Sequence, residues 1–168
     1  MHQQATAPRR RRPLTGRTPP EAIERFTGEF TFLSNFHPCE IALGGLAYPS
    51  VEHAFQAAKT NDPAERDRIR RAPTPGQAKR LGRRATLRPG WERERLQVMR
   101  VLVLQKFTRH PELREQLLAT RGRELIEGND WGDRYWGVCG GAGQNELGHI
   151  LMEVRAYLAG RHDAGEAT

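Results

Sequence analysis

Apolar positions along this chain fall into short runs and helical stripes. From Glu40 to Tyr48 two apolar runs flank Gly44-Gly45, a pair suited to a tight turn with positive φ, which predicts a β-hairpin. Upstream, Phe26 to Phe36 alternates loosely between aromatic and small polar residues, predicting one short strand that ends in the loop Leu33-Ser-Asn-Phe36. Ser50 suits the N-cap of a helix through about Thr60, and Pro63 and Pro75 stand where a proline opens a helix. Leu96, Met99, Val103 and Phe107 recur at helical spacing, Pro111 to Leu118 reads as another short helix, and Leu147, Ile150, Leu151, Val154 and Leu158 make the last helix amphipathic. The segment Glu124 to Gly143 has no steady period, with glycine breaks, two tryptophans and several acids; it reads as a functional loop with short strands. The expected fold class is α+β, a mainly helical single domain with a small antiparallel β element near its N-terminus.

Charge changes the picture less than its total suggests. The net charge is +7, but residues 1–20 hold Arg9, Arg10, Arg11, Arg12 and Arg17 and no acid, so +5 belongs to that stretch and +2 to everything after it. The folded part is close to neutral and carries no broad nucleic-acid signature. Rich in proline and poor in apolar residues, the start of the chain cannot offset its ordering entropy. The expected organisation is a disordered basic tail over 1–22, one domain over 23–160 and a flexible C-terminus over 161–168. No apolar run reaches membrane-spanning length and the N-terminus lacks the apolar core of a secretory signal, so a cytoplasmic protein without a membrane partner is expected. Cys39 and Cys139 make no CxxC pair, and His37, His53, His110 and His149 show no HExxH-type spacing, so no metal is expected. Without a dinucleotide fingerprint, no cofactor is expected either.

Candidate chemistry concentrates after Ser50. On a helix, Glu52, Phe55, Gln56 and Lys59 lie at i, i+3, i+4 and i+7 and share one face, while Val51, Ala54 and Ala58 form an apolar flank. Such a helix can present a carboxylate, an amide and an amine to a cavity. Spacing alone would equally describe a surface helix with solvated Glu and Lys. Trp91, Trp131 and Trp136 offer faces on which a base can stack, with Glu127, Asp130 and Asp133 beside two of them. Gly140-Gly141-Ala-Gly143 leads into the last helix and offers amides to a phosphate. His53, about a quarter turn off the reactive face, reads as a packing or hydrogen-bonding residue.

Six ordered blocks go further: Phe32-Leu-Ser-Asn-Phe36, Tyr48-Pro-Ser-Val-Glu-His-Ala-Phe-Gln-Ala-Ala-Lys59, Ala78-Lys-Arg-Leu-Gly82, Lys106-Phe107, Asp133-Arg-Tyr-Trp-Gly137, and Asn145-Glu-Leu-Gly148 with Leu151-Met-Glu-Val-Arg155. Together they resemble the NADAR family, the YbiA-like N-glycosidases, from about Phe26 to Leu158. The resemblance implies hydrolysis of an N-glycosidic bond, in riboflavin-biosynthesis ribosylamine phosphates or in ADP-ribosylated guanine. It matches Glu52, Lys59, Asp133, Trp91, Trp136, Asn35 and Asn145 to family positions; the expected catalytic residues are Glu52, Lys59 and Asp133, and the expected substrate-binding residues are Asn35, Phe36, Gln56, Trp91, Glu127, Trp136, Gly137 and Asn145. The partner it implies is a small nucleotide-like molecule, with ADP-ribosylated DNA or RNA guanine as the larger form. Thr120-Arg-Gly-Arg-Glu departs from the family's commoner Thr-Gly turn.

Cleaving such a bond builds positive charge on the anomeric carbon, so a carboxylate nearby stabilises the transition state or activates water, and the departing base needs a proton. A desolvated lysine offers a covalent route through a Schiff base. The rival reading is a non-catalytic module that binds ADP-ribose or a related nucleotide, against which the pairing of Glu52 with Lys59 argues.

Overall fold

The computed structural model describes residues 21–166, with side chains described as far as Arg161. The expected disordered tail falls almost wholly outside the described residues.

The hairpin forms where the two glycines place it. Strands β1 (Ile41–Leu43) and β2 (Leu46–Tyr48) pair antiparallel with Ile41 opposite Tyr48, and Gly44 and Gly45 turn at φ 57° and 77°. The strand expected between Phe26 and Phe36 does not form: Gly28–Leu33 is a 3-10 helix that buries Phe32 and Leu33. With no partner strand in reach, its aromatics meet the core through a tight helical turn instead.

Six α-helices follow the sequence signals closely. Helix α1 (Val51–Ala57) is capped by Ser50, α2 (Pro63–Arg70) by Asp62 and α3 (Pro75–Gly82) by Thr74, each cap side chain accepting a backbone N–H, with proline opening α2 and α3. Helix α4 (Trp91–Arg109) starts after Gly90 in the left-handed region, and α5 (Pro111–Ala119) follows at once. Helix α6 spans Glu146–Glu166 and so passes the boundary expected at residue 160.

The short α1 is the centre of the molecule. It packs on α2, α3 and α4, while α4 also meets α5 and α6. Met99, Leu102, Val103 and Phe107 of α4 face Leu147, Ile150, Leu151 and Val154 of α6 in one core. Between α5 and α6 the chain is irregular, apart from a two-residue parallel pair, β3 (Gly128–Asn129) with β4 (Val138–Cys139). Ile23 stitches the start of the domain to this region, its N–H donating to Glu124 O (2.8 Å) and its carbonyl accepting from Ile126 N (2.8 Å).

Candidate active site

Every residue of α1 is buried, so the solvated surface helix that spacing alone allowed is excluded. His53 fixes its start: Nε2 lies 3.0 Å from the Ala72 carbonyl, which can only accept, so Nδ1 accepts the Ser50 hydroxyl at 2.7 Å. Both ring nitrogens are used, and His53 is structural. Arg88 fixes the end, its Nε donating to Ala58 O (2.9 Å) and its backbone N–H to Lys59 O (2.7 Å). Between these anchors Gln56 Nε2 donates to Glu52 Oε1 at 2.8 Å. Helix α3 approaches closely because Gly82 has no side chain; a Cβ there would run into the Gln56 amide.

One face of α1 borders a cavity of about 400 Å³. Glu52, Phe55, Gln56 and Lys59 form one wall, the loop Ser34-Asn35-Phe36 a second, Lys79 of α3 and Arg83 at its C-cap a third, and Glu127, Trp131, Asp133 and Trp136 the fourth, over Met99 and Leu147. The loop is tied down from below. Asn35 O accepts Glu52 N–H (3.0 Å), Asn35 Nδ2 lies 3.3 Å from Met99 Sδ, and the buried Lys106 donates from Nζ to Ser34 O (2.8 Å). Burial pushes the Lys106 amine down to about 8.

The fourth wall is held by side chains bonding to backbone. Asn129, 2% exposed, donates from Nδ2 to Asp133 O (2.7 Å) and Val138 O (3.2 Å) and accepts Asp133 N–H on Oδ1 (3.0 Å). Asp133 Oδ1 in turn accepts the N–H groups of Tyr135 (3.1 Å) and Trp136 (2.9 Å). Asn145, in the left-handed region at φ 53°, donates to Leu125 O (2.9 Å) and accepts Glu127 N–H (3.0 Å), which places Glu127 at the cavity. Asp130 points away and pairs with Arg25 on the outside at 2.7 Å.

Burial dominates the electrostatics. It raises the Glu52 carboxyl, opposed in turn by Lys79, the Gln56 hydrogen bond and Lys59. It lowers the Lys59 amine, with Glu52 acting against it and Lys79 and Arg83 adding to it. Glu127 is raised to about 7, by burial first and then by the negative charge of Asp133. Its Oε2 is buried without a hydrogen-bond partner among the described residues, as is Gln56 Oε1.

Asn35, Phe36, Glu52, Gln56, Lys59, Glu127, Asp133 and Trp136 thus meet at one cavity, and three expected contacts do not. Trp91, 4% exposed, stands behind the wall with its ring centroid 5.1 Å from that of Phe55. Asn145 is spent on backbone bonds, and Gly137 serves the close passage of its strand past Glu127 O, where a Cβ would collide. The start of α6 does not present the amides expected of a phosphate cradle. The N–H groups of Gln144, Asn145, Glu146 and Leu147 are already bonded to the carbonyls of Arg134, Gly137, Tyr135 and Trp136. Lys79 and Arg83 are the residues that sequence reasoning missed. The helix start at Thr74-Pro75 puts them one turn apart on one face, a signal of the same kind as that which singled out Glu52 and Gln56. Among the described residues no cluster of His, Cys, Asp and Glu suits a metal ion, and no helix is long and apolar enough to cross a membrane.

An aromatic-edged cavity that gathers three carboxylates and three cations has the groups from which an enzyme site for a small molecule is built. The chain belongs to the NADAR family, whose domain is matched over residues 24–159. It is 45% identical over 129 residues to N-glycosidase YbiA of Escherichia coli K12, covering 75% of this chain and 80% of the relative. It is 43% identical over 132 residues to an N-glycosidase of Nostoc punctiforme, covering 74% and 83%. A riboflavin biosynthesis protein of Vibrio vulnificus is 44% identical over 130 residues, covering 76% of this chain and 35% of that longer protein. The solution structure of E. coli YbiA superposes with a TM-score of 0.77 at 37% identity, covering 89% of this chain and 92% of the other.

Proposed function

We propose that this chain hydrolyses the N-glycosidic bond of a phosphorylated, nucleotide-like substrate, either a ribosylamine phosphate or an ADP-ribosylated guanine. The enzyme class, a hydrolase of N-glycosyl bonds, is shared with relatives named N-glycosidases at 45% and 43% identity. The observation that carries the finer reading is the convergence of Glu52, Glu127 and Asp133 on one cavity, with Glu127 raised to about 7.

In this reading Glu52 and Asp133 flank the anomeric carbon. The C1′–N bond breaks with its electron pair going to the base, which takes the proton that Glu127 holds near neutral pH. Water forms the new C1′–O bond and gives its proton to the Glu52 or Asp133 carboxylate, so the acid and base roles are divided as the bond requires. With its pKa lowered by burial, Lys59 supplies the alternative nucleophile: its amine bonds to C1′ as the C1′–N bond breaks and the base takes the proton from Glu127. The C1′–O4′ bond then opens with the amine's proton passing to O4′ to give the imine, and water adds to C1′ to release the sugar and restore the amine. The longer V. vulnificus relative, named for riboflavin biosynthesis, favours the ribosylamine phosphate.

One assay tests all of this. The purified protein is incubated with riboflavin-pathway ribosylamine phosphates and, separately, with ADP-ribosylated guanosine and ADP-ribosylated DNA, and free base is quantified. Release from one class names the substrate; release from none overturns the reading and favours a nucleotide-binding module. Borohydride added during turnover traps a sugar on Lys59 if the amine route operates, and leaves the enzyme unmodified if water attacks directly.

A further inference from the structure

The basic groups cluster toward α3. Lys79 and Arg83 both act on the Lys59 amine, Asp133 acts on the carboxyls of Glu52 and Glu127, and Lys79 reaches both of those carboxyls from across the cavity. Lys79 faces the acids through space, yet among the described residues neither Lys79 nor Arg83 has a carboxylate within ion-pair distance or a hydrogen-bond partner for its side chain. Other cations, Arg68 and Arg93 among them, are also unpaired among the described residues; what sets Lys79 and Arg83 apart, together with Lys59, is that they line the cavity. Lys79 is also held in place, its Nζ standing 5.8 Å from the Phe36 ring centroid and 6.0 Å from that of Trp131, two exposed aromatics at the rim.

We propose that Lys79 and Arg83 form an anion subsite that binds a phosphoryl group of the substrate. Two cations that line a cavity lose water when a ligand fills it, and that loss is offset only if the ligand brings negative charge to them. A neutral sugar or base would offer neither charge a partner. The planar guanidinium of Arg83 can grip two phosphoryl oxygens at once, while the Lys79 ammonium acts as a point charge between the rings. The position of Lys79 and Arg83 by α3 gives the subsite a second effect. With the anion drawn to α3, the other end of the ligand is turned toward the three carboxylates, so one substrate orientation is favoured over its reverse. The sugar-phosphate identity rests on the N-glycosidase reading; the anion preference does not.

The test is calorimetric titration of the full chain with ribose 5-phosphate, ribose and ADP-ribose, using the wild type, Lys79→Gln, Arg83→Gln and the double variant. A charge-assisted contact of this kind is worth about tenfold or more. Wild type is expected to bind ribose 5-phosphate at least about tenfold more tightly than ribose, each single variant to lose about tenfold, and the double variant to bind the two sugars alike. Arg80→Gln, which removes a charge from α3 away from the cavity, is expected to leave the preference intact and so separates a subsite from general attraction. A phosphate monoester is the ligand if ribose 5-phosphate binds at least as tightly as ADP-ribose, and a diphosphate if ADP-ribose wins. The proposal is overturned if wild type shows no phosphate preference, or if the double variant, folded by circular dichroism, keeps it. Failure to cleave any N-glycoside with the preference intact would sink the catalytic reading and leave the subsite standing.

Discussion

The two long walls of the cavity are built by different forces. Helix α1 holds Glu52 and Gln56 through regular backbone hydrogen bonds and burial, with the half-buried Lys59 just past its end, and it is locked at both ends by His53 and Arg88. The opposite wall has almost no regular structure and is assembled by Asn129, Asp133 and Asn145 bonding to main chain. One wall therefore separates chemistry from architecture, since Glu52 can be changed without touching the helix. In the other the two are mixed, because Asp133 both faces the cavity and organises the turn that carries Trp136.

Substitutions should expose this contrast. The largest effect is expected from Glu52→Gln, an isosteric change on the regular wall: kcat/KM falls on the order of 10²- to 10⁴-fold while the thermal midpoint does not drop. A parallel fall in the midpoint would show that α1 needs the charge to fold. Asn129→Ala strikes the irregular wall and leaves buried backbone groups without partners, each costing about 1–3 kcal/mol. Here stability in a denaturant titration and activity are expected to fall together; loss of activity alone would mean the wall holds itself by other means.

The pH dependence is smaller and runs through Glu127. Its carboxyl is raised from 4.5 to about 7 in the folded chain, so the folded state binds this proton more tightly than the unfolded one. The stability it contributes is fully present below pH 4.5 and is lost as pH rises through about 7. Glu127→Gln is expected to flatten that decline in chemical denaturation series. In the proposed reaction the same proton is given to the base, so kcat/KM of the wild type is expected to fall above about pH 7, and the variant, already slow, to lack that limb. An unchanged alkaline limb in Glu127→Gln would assign the proton to another group.

The legibility of the two walls follows the same division. Local signals sufficed for α1, α2 and α3, because Ser50, Asp62-Pro63 and Thr74-Pro75 set their starts and the i, i+4 rule grouped Glu52 with Gln56. Family resemblance supplied Asp133 and Trp136, but not which of their neighbours face the cavity. Asn145 and Gly137 were expected to touch substrate and instead shape the wall behind it, a distinction set by bonds to Leu125 O and Glu127 N–H from far along the chain. Trp91 likewise reads the same in sequence whether it stacks on a base or on Phe55. The 3-10 helix at Gly28–Leu33 was missed because a short aromatic run chooses strand or turn by what lies beside it.

The rim offers a practical handle. Trp131 is 63% exposed at the cavity edge while Trp91 is 4% exposed behind it, so the same protein carries a tryptophan open to dissolved iodide and one sealed from it. Emission quenched by iodide then reports on the rim, and a ligand that fills the cavity is expected to shield Trp131 and shift its spectrum to the blue. Occupancy of this site is in that sense visible by fluorescence without a label, whatever molecule occupies it.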